Sequence, residues 1–511
     1  MDHDLTFSLD DLESRRLDVL VVGSGPAAVA VIEHLYEDAP DASIGVLERG
    51  GILSTTHINN VLAESPGGRV KSATNLRSGF MTDHEEFLWE GAFERSGMLI
   101  LALGGRGIVA GAQLRRFYRP DFTGWDEGRW PIIGQELSDY YTEAEVRRHV
   151  RSGDCDGAAQ NWVRGQLYDF GAGHPPWGVD SPTLRNFESG QGYDSSVSRL
   201  WRLMLLDHQN ARSGGNRRLH IGLHAYVSRL VAREGRVIGL ECRDSRKPSG
   251  NTCSLSATLV ILAASPVESA RLMLNSGLGN ENTGRYLAEH MYCRRVLSVR
   301  PPQIVGDIRR LAVRVIVPPQ GDKLNDRFQI EILGEEDPSG TGDLVLRFTG
   351  EVAMDPQRPN RVTLSAVRDE FNVPKAHVDM NLSSEDVTRR SVMKTQMIQI
   401  AERLGVSRRD FDESKIEDLP PGRSHHEAGT LRMGHSEKSA VTDPNGRVYG
   451  LENLYVADAS VFPCVGVANP MLTVTALGYR LAEQIARVLS THGEKSQARR
   501  PIPRDAQQET V

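Results

Sequence analysis

Two groups of residues in this chain have the types and spacing that proton transfer and cofactor binding need. Near the C-terminal end, Ser424-His-His-Glu-Ala-Gly-Thr-Leu-Arg-Met-Gly434 sets two adjacent histidines before a Gly-rich turn, and Val467-Ala-Asn469-Pro470-Met471 follows downstream. A neutral imidazole accepts a proton near pH 7. A carboxamide can hold the same oxygen by hydrogen bonds without competing for that proton. The pair suits oxidation of an alcohol, where the hydroxyl proton must leave as hydride departs from the carbon. On chemistry alone, either His425 or His426 can be the base. Asn469 also fits as a plain N-cap of the helix that begins there.

The second group lies at the other end. Gly23-x-Gly25-x-x-Ala28 follows the apolar run Asp18-Val-Leu-Val-Val22 and opens a segment of helical spacing, Val29 to Tyr36. Ser43-Ile-Gly-Val-Leu-Glu48 then reads as a second strand ending in an acid. Gly23 permits a tight turn, Gly25 leaves room for a pyrophosphate, and Ala28 is small enough for helix–strand packing. The helix N-terminus offers N–H groups to phosphates, and Glu48 would accept hydrogen bonds from a ribose. Strand, helix, second strand and terminal acid agree on a dinucleotide site, which FAD and NAD can both use.

Several further elements must position these groups. Strands are expected at 219–224, 227–231, 237–241 and 257–264, with a hairpin turn at Glu234-Gly235. Alternation predicts an antiparallel run through 311–317, 328–333, 344–348, 362–364 and 377–381. Helices are expected from about 136 to 150, from 384 to 404, and from Asn469 to about Leu489. The fold class is α/β: a Rossmann-like domain interrupted by an antiparallel-sheet domain. The expected boundaries are 15–120, 213–292 and 420–492 for the nucleotide-binding domain, and 121–212 and 293–419 for the substrate domain and connections. Residues 493–511 read as a disordered tail.

At 511 residues the chain is too long for one core, and its 39% hydrophobic and 25% charged residues are those of a globular protein. A net charge of −7 argues against nucleic acid as a partner and leaves a surface tolerant of cationic small molecules. The five scattered cysteines contain no CxxC pair, so neither a disulfide framework nor a metal site is indicated. With no signal-like or membrane-length apolar run, a cytoplasmic protein without membrane contact is expected.

The C-terminal motifs resemble those of the glucose–methanol–choline (GMC) oxidoreductase family, whose stretch H-x-x-G-T-x-R-M-G carries the catalytic histidine. Counting back four residues from Thr430 makes His426 the match, and Asn469 matches the family's second catalytic position. The resemblance implies non-covalent FAD as the cofactor and hydride transfer to flavin N5. It places Gly104 and Gly105 of Leu103-Gly-Gly-Arg-Gly107 beside the flavin, Val227 at the adenine, and Asp458 and Ala459 of Leu454-Tyr-Val-Ala-Asp458-Ala-Ser460 at the pyrophosphate and ribityl chain. Asn469, Pro470 and Met471 complete the cofactor-facing set. Glu268-Ser-Ala-Arg-Leu-Met-Leu-Asn-Ser-Gly277 is similar to a second family signature. The chain departs from the family at Ala110, where many members carry Asn. Gly107-Ile-Val-Ala110 also lacks the histidine through which some members bind flavin covalently.

The resemblance extends in style to bacterial enzymes that oxidise sugars, cyclitols and aminoglycoside intermediates, so a small polar alcohol is the expected substrate. Acids of the middle lobe such as Glu331 are candidates to pair with substrate ammonium groups. Oxygen is the expected electron acceptor, with another small acceptor as the alternative. Two competing readings are an NAD-dependent dehydrogenase, which leaves the C-terminal motif unused, and a non-catalytic flavoprotein, which leaves His426 and Asn469 without a role. His57 reads as a surface-loop histidine and Arg432 as a tie between loops.

Overall fold

Leu17–Val22, apolar and rich in β-branched residues, is buried on both faces and forms the middle strand of a parallel sheet. In spatial order the five strands are Leu454–Val456, Ala257–Leu262, Leu17–Val22, Ile44–Leu47 and Leu219–Gly222. They come from widely separated stretches of the chain. The computed structural model describes residues 5–52, 81–83, 87–91, 98–108, 113–123, 128–150, 157–173, 196–301, 313–337, 339, 341–419, 422 and 424–498.

Helix Pro26–Asp38 follows the first strand, and helix Met471–Ala498 packs across it. A Cβ at Gly478 would lie 2.8 Å from the carbonyl oxygen of Ala27, so the two helices touch backbone to backbone. That contact brings the segment around Asn469 next to the Gly25 turn. The C-terminal helix runs past the end read from the sequence to Ala498, and residues 499–511 lie outside those described. The Glu234-Gly235 turn joins Ala225–Arg233 to Arg236–Asp244, with both turn residues at positive φ.

The expected antiparallel run divides between two sheets: its first three strands join a second five-stranded sheet in the order Val313–Val317, Phe328–Glu336, Leu344–Ala353, His290–Val299, Glu417–Asp418, and the strands around 362–364 and 377–381 belong to a third. The register of the second sheet decides which side chains share a face. Tyr292 and Gln329 stand opposite Glu351, and Arg294 and Glu331 stand opposite Thr349. One row further out, Val296 and Leu333 stand opposite Arg347, and Leu333 also faces Arg314. The alternate positions turn to helix Ser384–Arg403, which lies so close that a Cβ at Gly350 would meet Met393 Sδ at 2.3 Å. Arg389 of that helix, fully buried, bonds Asp355, Asp386 and the Ala353 carbonyl, fixing the helix to the end of the strand. With its back packed, the sheet offers its polar face to the site.

A third sheet runs Ala428–Thr430, Arg285–Ala288, Arg361–Arg368, Pro374–Met380, with Phe87–Gly91 added in parallel at the edge. Its first strand carries the turn after His426.

Candidate active site

A cavity of about 590 Å³ runs from the Gly23–Ala28 turn to the polar face of the antiparallel sheet. Of the residues singled out from the sequence, Gly23, Gly25, Ala28, Glu48, Gly105, Val227, His426, Asp458, Ala459, Asn469, Pro470 and Met471 all line it. Gly104 does not; its N–H donates to Ser24 Oγ at 2.9 Å just behind the wall.

At the nucleotide end the two glycines serve different needs. Gly23 has φ +102°, and a Cβ there would lie 2.3 Å from the Ala263 carbonyl oxygen, so the neighbouring strand demands it. A Cβ at Gly25 would meet nothing within 4 Å, which leaves its Cα face open to the cavity. Gly25 caps helix Pro26–Asp38, whose first N–H groups lack partners within the helix. Glu48 is buried, accepting from Ser24 Oγ at 2.5 Å and the Gly50 N–H at 2.8 Å. Burial pushes its carboxyl up to about 7, against the pull of those hydrogen bonds. Asp458 accepts from the Ser265 and Ser460 N–H groups and from Ser269 Oγ at 2.6 Å. An open glycine face, a helix N-terminus and a carboxyl on the cavity wall fit the pyrophosphate and ribose hydroxyls of FAD.

At the other end, His426 Nδ1 lies 2.8 Å from His290 Nδ1, with the rings at 89°. His290 Nε2 lies 2.9 Å from the Gly466 carbonyl oxygen. These contacts fix the protons. A carbonyl only accepts, so His290 Nε2 carries hydrogen. Burial lowers His290 to about 4, leaving it neutral with Nδ1 as acceptor. His426 must then donate from Nδ1, which leaves the lone pair on Nε2. Asn469 Nδ2 stands 3.5 Å from that nitrogen, where its N–H points at the lone pair. Asn469 Oδ1 accepts from Gln329 Nε2 at 3.3 Å, and Gln329 Nε2 also donates to Glu351 Oε2 at 2.7 Å. Tyr292 OH comes within 3.4 Å of His426 Nδ1. Burial holds His426 well below the ordinary histidine range, assisted by His290, His425 and Arg106. At neutral pH it is a free base with its lone pair aimed at the amide.

The loop carrying His426 is held from behind. Arg106 forms an ion pair with buried Glu427 and donates to the His425 carbonyl at 3.1 Å. Glu289 accepts from Ser424 Oγ and the Gly422 N–H, and burial with Glu427 nearby raises its carboxyl. Thr430 is left-handed at φ 73°, and a Cβ at Gly429 would fall 2.2 Å from the Tyr286 carbonyl oxygen. Arg432 donates to the Ser439 carbonyl and stacks on Tyr286, as a tie between loops should. His425 also lines the cavity, whereas His57, Val109 and Ala110 lie outside the described residues.

Sequence reasoning missed His290, Tyr292, Gln329, Glu351, Ser24 and the Arg106–Glu427 pair. One signal was available: Tyr286-Leu-Ala-Glu-His-Met291 puts two titratable residues inside an otherwise apolar run.

The GMC oxidoreductase family matches this chain over residues 208–292 and 356–478. A C-glycoside 3-oxidase of Arthrobacter globiformis is 27% identical, covering 93% of this chain and 96% of that protein. A paromamine 6'-oxidase of Streptomyces fradiae is 26% identical, covering 93% and 92%. Over those two segments the chain is similar to the GMC oxidoreductases. A crystal structure of pyridoxine 4-oxidase from Mesorbium loti superposes with a TM-score of 0.63 at 16% identity, over 92% of this chain and 99% of that one, in keeping with the fold. GMC oxidoreductases bind FAD, and the cradle described above fits that cofactor. Among the described residues no helix is long and apolar enough to cross a membrane.

Two outcomes follow from this geometry. Glu48→Arg is expected to abolish FAD retention and Glu48→Gln to weaken it, since an amide accepts fewer ribose hydrogen bonds and a guanidinium none. Equal FAD content in wild type and the Arg variant would exclude Glu48 as the ribose ligand. In the FAD-free protein, a carboxyl raised from 4.5 to about 7 makes the folded state hold its proton longer than the unfolded chain does. The stability it contributes is present below pH 4.5 and lost as pH rises through 7, so Glu48→Gln should flatten the fall in Tm across that window.

For the histidine chain, His290→Phe is expected to retain FAD but slow anaerobic flavin reduction about 10²-fold, the low end of what a positioned base contributes. His290→Gln, whose amide can both donate and accept, should recover much of that rate. A Phe variant as fast as wild type would show that the Nδ1–Nδ1 contact does not orient the base.

Proposed function

We propose that this protein, as a GMC oxidoreductase, uses non-covalently bound FAD to oxidise a primary or secondary alcohol of a sugar- or cyclitol-like substrate to the carbonyl, with His426 as the base. Residues 15–120, 213–292 and 420–492 form the FAD-binding domain, and 121–212 and 293–419 supply the substrate side. The observation that carries the reading is the hydrogen-bond chain that leaves His426 Nε2 unprotonated 3.5 Å from the Asn469 amide. A hydroxyl entering between them donates to Nε2 and accepts from Asn469 Nδ2. Both bonds hold the oxygen, and the proton moves to Nε2 as the carbon loses hydride. FAD, when bound, accepts that hydride. The groups that depress His426 then favour release of the proton, which resets the base.

The polyhydroxyl nature of the substrate is supported by the wall beyond Asn469. Tyr292, Gln113, Thr349 and Glu351 there offer hydroxyl, amide and carboxyl groups, as a sugar requires. Relatives named for a C-glycoside and for paromamine act on alcohols of that kind. Oxygen is the proposed acceptor and the cytoplasm the proposed compartment. Peroxide formed in step with substrate consumed is the expected result; its absence alongside rapid reduction of a quinone dye would make the enzyme a dehydrogenase.

The deciding experiment compares single variants that retain FAD. His426→Ala should slow anaerobic flavin reduction by roughly 10²–10⁴-fold, with His425→Ala much milder. Asn469→Ala should fall between them, because the base remains while the oxygen loses a hydrogen bond. A larger loss from His425→Ala would move the base to that residue, and no loss from either would end the alcohol-oxidation reading. Acid denaturation should release all the flavin; flavin that stays with the polypeptide would refute non-covalent binding.

A further inference from the structure

The turn between strands Arg361–Arg368 and Pro374–Met380 is not built like a free loop tip. Such tips are ordinarily polar and solvated, yet Phe371 and Val373 in Arg368-Asp-Glu-Phe-Asn-Val-Pro374 are buried. Both pack with Tyr226. The Phe371 and Tyr226 ring centroids lie 4.4 Å apart, and the Arg49 guanidinium covers the Tyr226 ring at 4.6 Å. Tyr226 immediately precedes Val227, and Val373 lines the same cavity as Val227, Arg49 and Glu48. A hairpin from the substrate half of the chain therefore reaches the nucleotide end of the cavity, far from His426 in function.

Asp369 holds the hairpin there, and its two oxygens have separate tasks. Oδ1 accepts from the Phe371 and Val373 N–H groups, both at 2.9 Å, which folds the tip around Asn372 at φ 62°. Oδ2 accepts from the Tyr226 hydroxyl at 2.6 Å and from Arg271 at 3.3 Å. Arg271, on helix Pro266–Asn275, also donates to the Tyr226 hydroxyl at 2.9 Å and the Pro374 carbonyl at 3.0 Å, and pairs with Glu268. The Arg271 and Asp369 side chains are only 5% and 4% exposed. Burial opposes ionisation of Asp369, but the Tyr226 hydroxyl, the Val373 N–H and Arg271 outweigh it and hold the carboxyl below its ordinary range. Parting such a pair is costly, because each charge left alone keeps its desolvation penalty. The alcohol chemistry makes no use of this network.

We propose that the tip Asp369–Val373 is a clamp on the adenosine half of FAD. Val373 supplies an apolar wall, which suits an adenine better than a phosphate, and the Asp369–Tyr226–Arg271 network latches the tip in place. Release of the cofactor then requires the latch to open. The clamp rests on the FAD reading of the cavity and not on the reaction at its other end.

The test compares wild type with Asp369→Asn, Tyr226→Phe and Val373→Ala, each purified with FAD. Release of FAD is followed by fluorescence after dilution. Calorimetry then measures the affinity of each apoprotein for ADP, which carries only the adenosine diphosphate half of the cofactor. Asp369→Asn loses charge-assisted hydrogen bonds and is expected to release FAD on the order of 10–10²-fold faster. Tyr226→Phe keeps the ring and Val373→Ala shortens the apolar contact, so each should release FAD about two- to tenfold faster. ADP affinity should fall by similar factors. Flavin absorption and circular dichroism of the FAD-saturated variants should match wild type, which a general loss of structure would not allow. If Asp369→Asn does not fold, the other two variants carry the same comparison. Release as slow as wild type, faster release with undiminished ADP affinity, or wild-type apoprotein that does not bind ADP overturns the clamp. A protein that takes up no FAD refutes the cofactor reading and the clamp together; one that binds FAD but releases it equally in every variant refutes the clamp alone.

Discussion

The carbonyl oxygen of Gly466 can only accept a hydrogen bond, and the proton positions of the catalytic end follow from it. It forces hydrogen onto His290 Nε2, hence a lone pair onto His290 Nδ1, hence hydrogen onto His426 Nδ1, and hence a base at His426 Nε2. Both rings are desolvated, so neither relieves the constraint by taking a second proton. A histidine in water interchanges its tautomers freely. This one is assigned by backbone geometry, and Asn469, anchored through Gln329, faces the nitrogen left bare.

That chain needs three segments held in register: two are secured where only glycine fits, and the third by an ion pair. The helix that follows Asn469 meets the Gly25 helix at Gly478. The turn after His426 passes Tyr286 where only the bare Cα of Gly429 fits, with Thr430 in a conformation that L residues rarely adopt. Arg106, on the glycine segment beside the nucleotide turn, grips Glu427 and the His425 carbonyl. The short segment Gly104–Arg106 thus touches both ends, through the Gly104 N–H on Ser24 and the Arg106 side chain on the His425–Glu427 loop.

How much of this was legible in the sequence depended on distance along the chain. The βαβ unit was readable because Gly23, Gly25, Ala28 and Glu48 act through local turns and one short crossover. His426 and Asn469 were readable from their immediate frames, and the middle-lobe strands from alternation. Their pairing was not readable. His290 meets His426 across 136 residues, and Gln329 meets Asn469 across 140, through a register that nothing local encodes. Ser24 is the unspecified residue of Gly23-x-Gly25, yet it connects Glu48 to Gly104.

A base with its proton affinity pushed down would be poor at taking a proton from an ordinary alcohol, unless the alcohol is made more acidic in the same place. In the proposed reaction Asn469 provides that, since its amide N–H faces the place where the oxygen sits. Donation in a desolvated cavity stabilises the oxygen as it loses its proton, and the same desolvation disfavours the imidazolium that gains it. The first effect helps the forward transfer. The second keeps the proton mobile and speeds release once the carbonyl has formed. Depression of His426 and strengthening of the Asn469 hydrogen bond therefore have one source, the exclusion of water, and the base stays neutral at the pH where it works.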